Sequence, residues 1–308
     1  MYKKIDMNGK VVMITGANSG IGKETAIQLA NMGATIIMVC RNKERGEAAL
    51  KDIKEKTNSN KIDLLFADLA DQNSIRLMVE EFKKKYDKLH VLINNAGLIL
   101  RKRSTTLEGY ENTFAINYLG HFLLTYLLLD LLKSSTPARI INVSSALHKF
   151  AKPDFNDINM EHKYSGFRAY ANSKLYNILF TYELARRLES TRVTVNSLHP
   201  GAVRTNFGKN NRKKLLRIIF YILRPFYISA KKGARTSIYL ASFPEVEHIT
   251  GKYFIKSSPK KSSKISYNQS FQSKLWNIGE KLTHISYFNK MDLDTSNSSL
   301  KEKEIAIA

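Results

Sequence analysis

Short apolar runs alternate with helical stretches along most of this chain, and that alternation leaves few folds open. Lys10–Thr15, Ala34–Cys40, Lys61–Ala67, Leu89–Asn94, Arg139–Ser144 and Arg192–Ser197 read as buried strands. Between them, Gly22–Met32, Lys43–Lys56, Gln72–Tyr86, Glu108–Leu132 and Phe167–Leu188 read as helices. Apolar strands each followed by a helix imply βαβ units and a parallel sheet covered on both faces. Right-handed crossovers then favour an α/β architecture with a doubly wound open sheet.

After about residue 200 the rhythm changes. An irregular stretch precedes a helix near Ala230–Ser242 and a strand near Lys252–Ile255. Ser257–Ser263 reads as loop, Phe271–Leu282 as a short helix and Asp292–Ala308 as a frayed end. There is no internal repeat and no linker long enough to separate a second domain.

Composition excludes several classes. The 308 residues, 43% hydrophobic and 25% charged, suffice for one large globular unit. One cysteine, Cys40, rules out a disulfide framework, and seven scattered histidines without zinc spacing argue against a metal site. The N-terminal residues carry no apolar h-region and no run long enough to span a bilayer, which disfavours a secretory signal or N-terminal anchor. A cytoplasmic placement is expected. The net charge of +22 is spread over many helices rather than gathered in one stripe with interleaved aromatics, so nucleic acid is not an expected partner.

Thr15-Gly16-Ala17-Asn18-Ser19-Gly20-Ile21-Gly22 lies between the first strand and the first helix. In that setting glycines let the backbone approach a pyrophosphate, while the helix N-terminus offers free N–H groups and the positive end of its dipole. The second strand ends Cys40-Arg41-Asn42 without an acid to accept from a ribose 2′-OH. Arg41 instead offers a guanidinium suited to a 2′-phosphate, which favours NADP(H) over NAD(H). Asp68 and Leu69 follow the third strand, where adenine would lie; Asp68 is equally placed to cap the next helix. Asn94-Asn95-Ala96-Gly97 ends the fourth strand, suited either to close backbone approach to a cofactor or to a tight turn.

Tyr170 and Lys174 stand at i and i+4, so a phenol and an ammonium share one helix face. An adjacent cation favours the phenolate. Bringing a tyrosine from its usual ~10 to neutrality takes about three units, or ~4 kcal/mol, more than one lysine ordinarily supplies. The same spacing also arises by chance on amphipathic helices.

Taken in order, TGANSGIG (15–22), NNAG (94–97), Asn117, Ser145, YANSK (170–174) and His199-Pro200-Gly201 resemble the short-chain dehydrogenase/reductase family over about residues 8–255. VCRN (39–42), NYLGHFLL (117–124) and the 25-residue separation of Ser145 from Tyr170 (170 − 145) are most similar to retinol dehydrogenases of the 11–14 type. GKYF (251–254) and LWN (275–277) extend the likeness. The resemblance implies a single-domain Rossmann fold over 1–256 with a mostly parallel seven-stranded sheet, and a polar tail over 257–308. It also implies NADP(H), Tyr170 as general acid, Lys174 lowering its pKa and holding ribose hydroxyls, Ser145 bonding the substrate oxygen, and Asn117 holding a relay water. Ser144 competes with Ser145 for that role. Cofactor contacts are implied for Gly16, Asn18, Ser19, Gly20, Ile21, Gly22, Arg41, Asp68, Leu69, Asn95, Ala96, Gly97, Pro200, Gly201, Val203 and Thr205.

The resemblance further implies a substrate lid near 205–230. Within Asn210–Tyr227, cations gather near one helical face and apolar residues on the other. That segment would cover the pocket, and over about 210–228 it would suit peripheral contact with anionic lipid on an intracellular membrane. His148 and His162 either line the substrate mouth or are ordinary loop residues. The family's two long helices would suit a homodimer or tetramer, unless the tail blocks them. The expected activity is reversible reduction of a lipophilic aldehyde or ketone, retinal-like by resemblance. A broader carbonyl or steroid reductase, or a non-catalytic NADP(H)-sensing scaffold, are the alternatives.

Overall fold

The computed structural model describes residues 5–203 and 228–287. Eight strands form one sheet: β1 (Val11–Thr15), β2 (Thr35–Cys40), β3 (Ile62–Phe66), β4 (Val91–Asn94), β5 (Ala138–Val143), β6 (Val193–His199), β7 (Lys252–Ile255) and β8 (Ser258–Lys260). Their order is β3-β2-β1-β4-β5-β6-β7-β8, parallel from β3 through β7. The strand sequence reverses direction between β1 and β4, and the crevice at the carboxyl ends there is where open α/β sheets take ligands.

The expected count of seven strands is corrected to eight. β8 runs antiparallel to β7 after a two-residue turn at Lys256 and Ser257, both with positive φ (51° and 58°). Two successive left-handed residues give the turn whose twist suits a hairpin. The sequence hides this strand because all three of its residues are exposed, and the turn lacks the usual Asn or Gly. Pro259 and Lys260 suit an edge, where a missing donor and a charge discourage further pairing.

Among the described residues, the longer helices are α1 (Gly20–Asn31), α2 (Lys43–Thr57), α3 (Gln72–Lys85), α4 (Asn112–Ser134), α5 (Gly166–Arg187), α6 (Ala230–Ser242) and α7 (Gln269–Thr283). Alternation along each strand sends side chains to opposite faces. Val12 and Ile14 of β1, with Ile36, Met38 and Ile141, join a core beneath α1 and α6. Met13, Ile37, Leu92, Ile140 and Val195 join the core on the other face, under α3, α4 and α5.

By length and composition α4 could cross a membrane, yet 72% of its most apolar window is buried in this fold. Its apolarity is thus accounted for by its place in the core. A π-helical turn over Ala115–Leu119 interrupts it at Asn117. Such turns free or redirect backbone groups and recur at functional sites.

Candidate active site

The turn between β1 and α1 is shaped for a phosphate. Gly16 has φ +67°, and its N–H donates to the Val39 carbonyl at 2.8 Å. A Cβ on Gly22 would sit 2.5 Å from the Gly16 carbonyl oxygen and 2.6 Å from Asn95 Nδ2, so only glycine fits this approach. Ser19 is the N-cap of α1, but its side chain caps nothing, and no acid occupies the first turn. The N–H groups of Gly20, Ile21 and Gly22 therefore begin a helix whose positive end has no anionic side chain beside it. Cys40 is buried alongside; burial raises its thiol to about 11, despite hydrogen bonds from the backbone at Asn18 and Ala17, so it is an inert neighbour of the turn.

Arg41 and Asp68, at the ends of β2 and β3, face one another, with Nη1 3.7 Å from Oδ2 and both side chains substantially exposed. Asp68 does not cap the following helix. Asp71 does, accepting from the N–H groups of Asn73 and Ser74, while Asp68 Oδ1 accepts from Ala70 N at 2.9 Å. Leu69 is buried, and its carbonyl approaches so closely that a Cβ on Gly120 would lie 2.4 Å away. An accessible cation and a carboxylate on one rim, beside an open helix N-terminus, fit the adenosine end of a dinucleotide.

Tyr170 and Lys174, one turn apart on α5, meet two other groups. Both are buried, with Lys174 Nζ 5.5 Å from the Tyr170 ring centroid. Nζ donates to the Val143 carbonyl at the end of β5 at 3.0 Å. A Cβ on Gly97 would lie 3.2 Å from that Nζ and 3.3 Å from Asn117 Oδ1. The Asn117 side chain is fully engaged: Oδ1 accepts from Leu98 N, and Nδ2 donates to Leu98 O and Ser173 Oγ.

The two adjacent serines separate cleanly. Ser144 is buried, and its hydroxyl donates to the Lys174 carbonyl at 2.6 Å. Ser145 caps the short 3₁₀ turn Ala146–Phe150, its Oγ accepting from Leu147 N at 3.2 Å, and it hydrogen-bonds Tyr170. Burial raises the Tyr170 phenol to about 12, against the lowering effect of Ser145, and burial lowers Lys174 to about 8. Desolvation therefore outweighs any help the lysine gives the phenol.

Pro200, Gly201 (φ +93°) and Val203 follow β6. Val203 bridges to Ile228, and a Cβ on Gly233 would lie 2.5 Å from its Cγ2 and 3.3 Å from Ile21 Cγ1. This segment thus flanks the start of α1. Thr205, the expected lid to residue 227, the Asn210–Tyr227 segment and the terminal Asp292–Ala308 lie outside the described residues. Among the described residues no cluster of three metal-ligating side chains occurs.

One histidine not assigned to the site from sequence, His121, ties it together. Thr15 Oγ1 accepts from Asn95 N and Ala96 N, each at 2.9 Å, and lies 2.9 Å from His121 Nε2. The other ring nitrogen of His121 is 3.2 Å from the Asn117 carbonyl, which only accepts. That places the His121 proton on Nδ1 and directs the Thr15 hydroxyl proton to Nε2. Burial holds His121 down at about 3, so the ring is neutral. One buried relay therefore joins the phosphate turn, the Asn95–Ala96 loop and the π turn of α4. His121 sits four residues past Asn117, and that spacing was the available clue.

His148 donates through Nδ1 to the Ser145 carbonyl at 2.7 Å, while Nε2 accepts from Ser263 N at 3.0 Å. It is a buried, satisfied residue rather than a rim group, whereas His162 is exposed.

Comparison with known proteins places the chain in a family. Residues 10–216 match the short chain dehydrogenase family model. Retinol dehydrogenase 12 of Mus musculus is 42% identical over 92% of this chain and 89% of its own length. Retinol dehydrogenase 14 of Homo sapiens is 44% identical over 89% and 86%. An uncharacterized protein from Mycobacterium paratuberculosis has a solved structure with TM-score 0.75 and 31% identity, over 92% of this chain and 97% of that one. A short chain dehydrogenase from Escherichia coli, solved with NADPH, shares the fold at TM-score 0.65 and 22% identity, over 83% and 100%. With its phosphate turn, its Ser–Tyr–Lys group and these likenesses, the chain belongs to the short-chain dehydrogenase/reductase family, on the side of retinol dehydrogenases 11–14.

Proposed function

We propose that this protein is an NADP(H)-dependent oxidoreductase that interconverts a lipophilic aldehyde or ketone, retinal-like in character, with its alcohol. The observation that carries the reading is the hydrogen-bonded Ser145–Tyr170 pair, with Lys174 beside it and Gly97 approaching Lys174 and Asn117 closely. A bound nicotinamide supplies or accepts the hydride. The turn at 16–22, the Asn95–Gly97 loop and Pro200–Val203 would hold the cofactor, and Arg41 would take a 2′-phosphate.

The chain's own groups account for the proton. Ser145 Oγ accepts from Leu147 N and its hydroxyl pairs with Tyr170, so a substrate oxygen seated between the two would take the serine proton in place of the phenol. Tyr170, kept protonated by burial, is the acid that delivers a proton to the same oxygen on reduction. Lys174, buried behind the phenol, lowers the cost of the phenolate that remains. The retinoid choice rests on what the curated relatives are named for.

The test is an NADPH-oxidation screen across retinal, medium-chain aldehydes, steroid ketones and quinones, with Tyr170→Phe beside the wild type. The expected result is turnover of retinal or a comparably apolar carbonyl, falling at least ~100-fold in Tyr170→Phe with NADPH binding retained. Undiminished turnover in that variant would remove Tyr170 from the mechanism. Activity confined to polar carbonyls would remove the lipophilic substrate.

A further inference from the structure

Two aromatic rings lie bare at the rim of the active site. Phe150 is 61% exposed and Phe167 48%, and their centroids are 6.1 Å apart. Among the described residues they are the one pair of exposed aromatic rings in contact. Phe150 ends the 3₁₀ turn that Ser145 caps, and Phe167 precedes Tyr170 by one turn of α5. Both are therefore fixed to catalytic elements.

Cations neighbour them along the chain. Lys149 and Arg168 are their sequence neighbours, Lys152 follows the same turn, and all are exposed. Exposed Arg101 joins the rim through backbone: a Cβ on Gly166 would lie 3.2 Å from its Cα. None of these four cations forms an ion pair among the described residues. The nearby acids are engaged: Glu161 faces Arg103 at 3.8 Å, Asp157 accepts from the backbone of Glu161 and His162, and Asp154 accepts from Asn156 N. Bare aromatic rings beside unpaired cations form the pattern that suits an anionic lipid interface, the rings entering the acyl boundary and the cations meeting headgroups.

We infer that the rim carrying Phe150 and Phe167 docks on an anionic bilayer surface, with Arg101, Lys149, Lys152 and Arg168 as its electrostatic contacts. The net charge of +22 acts in the same direction over longer range. The mouth beside Ser145 and Tyr170 then borders the membrane. Its use there, taking an apolar substrate from lipid, rests on the proposed function; the docking itself does not.

The experiment is co-sedimentation of the full chain, without cofactor or substrate, with vesicles of phosphatidylcholine containing phosphatidylserine, or of phosphatidylcholine alone. Binding is expected to the anionic vesicles, falling at least about tenfold on neutral ones, in high salt, or in Lys149→Glu/Arg168→Glu. Phe150→Ala/Phe167→Ala should also lose affinity, with far-UV circular dichroism showing the fold retained. In Phe167→Trp, brominated acyl chains should quench emission beyond that of the buried Trp276. No vesicle binding, or binding without quenching and unaltered in the Phe150→Ala/Phe167→Ala protein, overturns the inference, the latter by locating the contact elsewhere. Tyr170→Phe should bind vesicles as the wild type does, so failed catalysis and failed docking are told apart.

Discussion

Ser144 and Lys174 are joined across 30 residues by a 2.6 Å hydrogen bond from the serine hydroxyl to the lysine carbonyl. The bond fixes the end of β5 to the turn of α5 that carries the lysine. Successive residues of an extended chain point opposite ways, so burying Ser144 presents Ser145 toward Tyr170. Ser145→Ala should therefore cost about 100- to 1,000-fold in kcat, the usual effect of losing an oxyanion donor, with little change in melting temperature. Ser144→Ala should do the reverse: about 1 kcal/mol of stability lost, and a much smaller change in kcat. Steady-state kinetics and urea unfolding of the two variants check this; exchanged phenotypes would reassign the catalytic serine.

Much of this was legible from the residues alone, because strand alternation and glycine spacing are local signals. The parallel sheet and the glycine turn follow from such patterns, whereas the meeting of Ser145, Tyr170, Lys174 and Gly97 was implied by the family resemblance of the motifs in order. Three features were not legible. β8 has no buried face and an unconventional turn, so nothing apolar marks it. Asp68 was open as either an adenine contact or the cap of the next helix, and the structure gives the cap to Asp71, which directly precedes Gln72. The Thr15–His121–Asn117 relay joins positions 106 residues apart, which no local period can report.

Cofactor preference should depend on Arg41. Its pairing with Asp68 is long and exposed, so it adds little stability and leaves the guanidinium free to meet a phosphate. Arg41→Ala is expected to weaken NADPH binding about 10- to 100-fold, as for a charged hydrogen bond, while NADH binding stays within about twofold. Calorimetric titration with both cofactors is the measurement. Equal losses would exclude recognition of the 2′-phosphate.

Lys174 should leave a signature in the pH dependence of stability. Burial depresses it from 10.5 to about 8, so between those values the unfolded chain holds more of this proton than the folded one. Stability from this group therefore rises with pH from about 8 to 10.5, and the cost of the buried ammonium is fully present below 8. Against Lys174→Met, the wild type should gain across that window by up to on the order of 3 kcal/mol. Tyr170 shifts the other way, raised to about 12, and its contribution is lost only as pH climbs from 10 toward 12. Urea unfolding of both proteins at pH 7.5, 9 and 10.5 separates the two; parallel curves would mean that Lys174 is not desolvated.

The C-terminal helix is expected to govern stability by covering α4 and α5. Trp276 of α7 is 1% exposed, packed on Phe122, Phe180 and Tyr287, with the Arg187 guanidinium 4.3 Å from its ring. Gln72 and Tyr110 donate to the Leu282 carbonyl, Arg76 to Thr283, and Tyr287 to Phe122. These bonds staple the end of α7 to α3 and the chain leading into α4. A buried tryptophan truncated to alanine typically costs about 3–5 kcal/mol, so Trp276→Ala should lower the urea midpoint by that equivalent. Ending the chain before Gln269 removes the whole layer and bares the apolar residues beneath, which should drive self-association visible by sedimentation. The intact chain cannot use this covered face for pairing, so an intact dimer built on α4 and α5 would contradict the packing of Trp276.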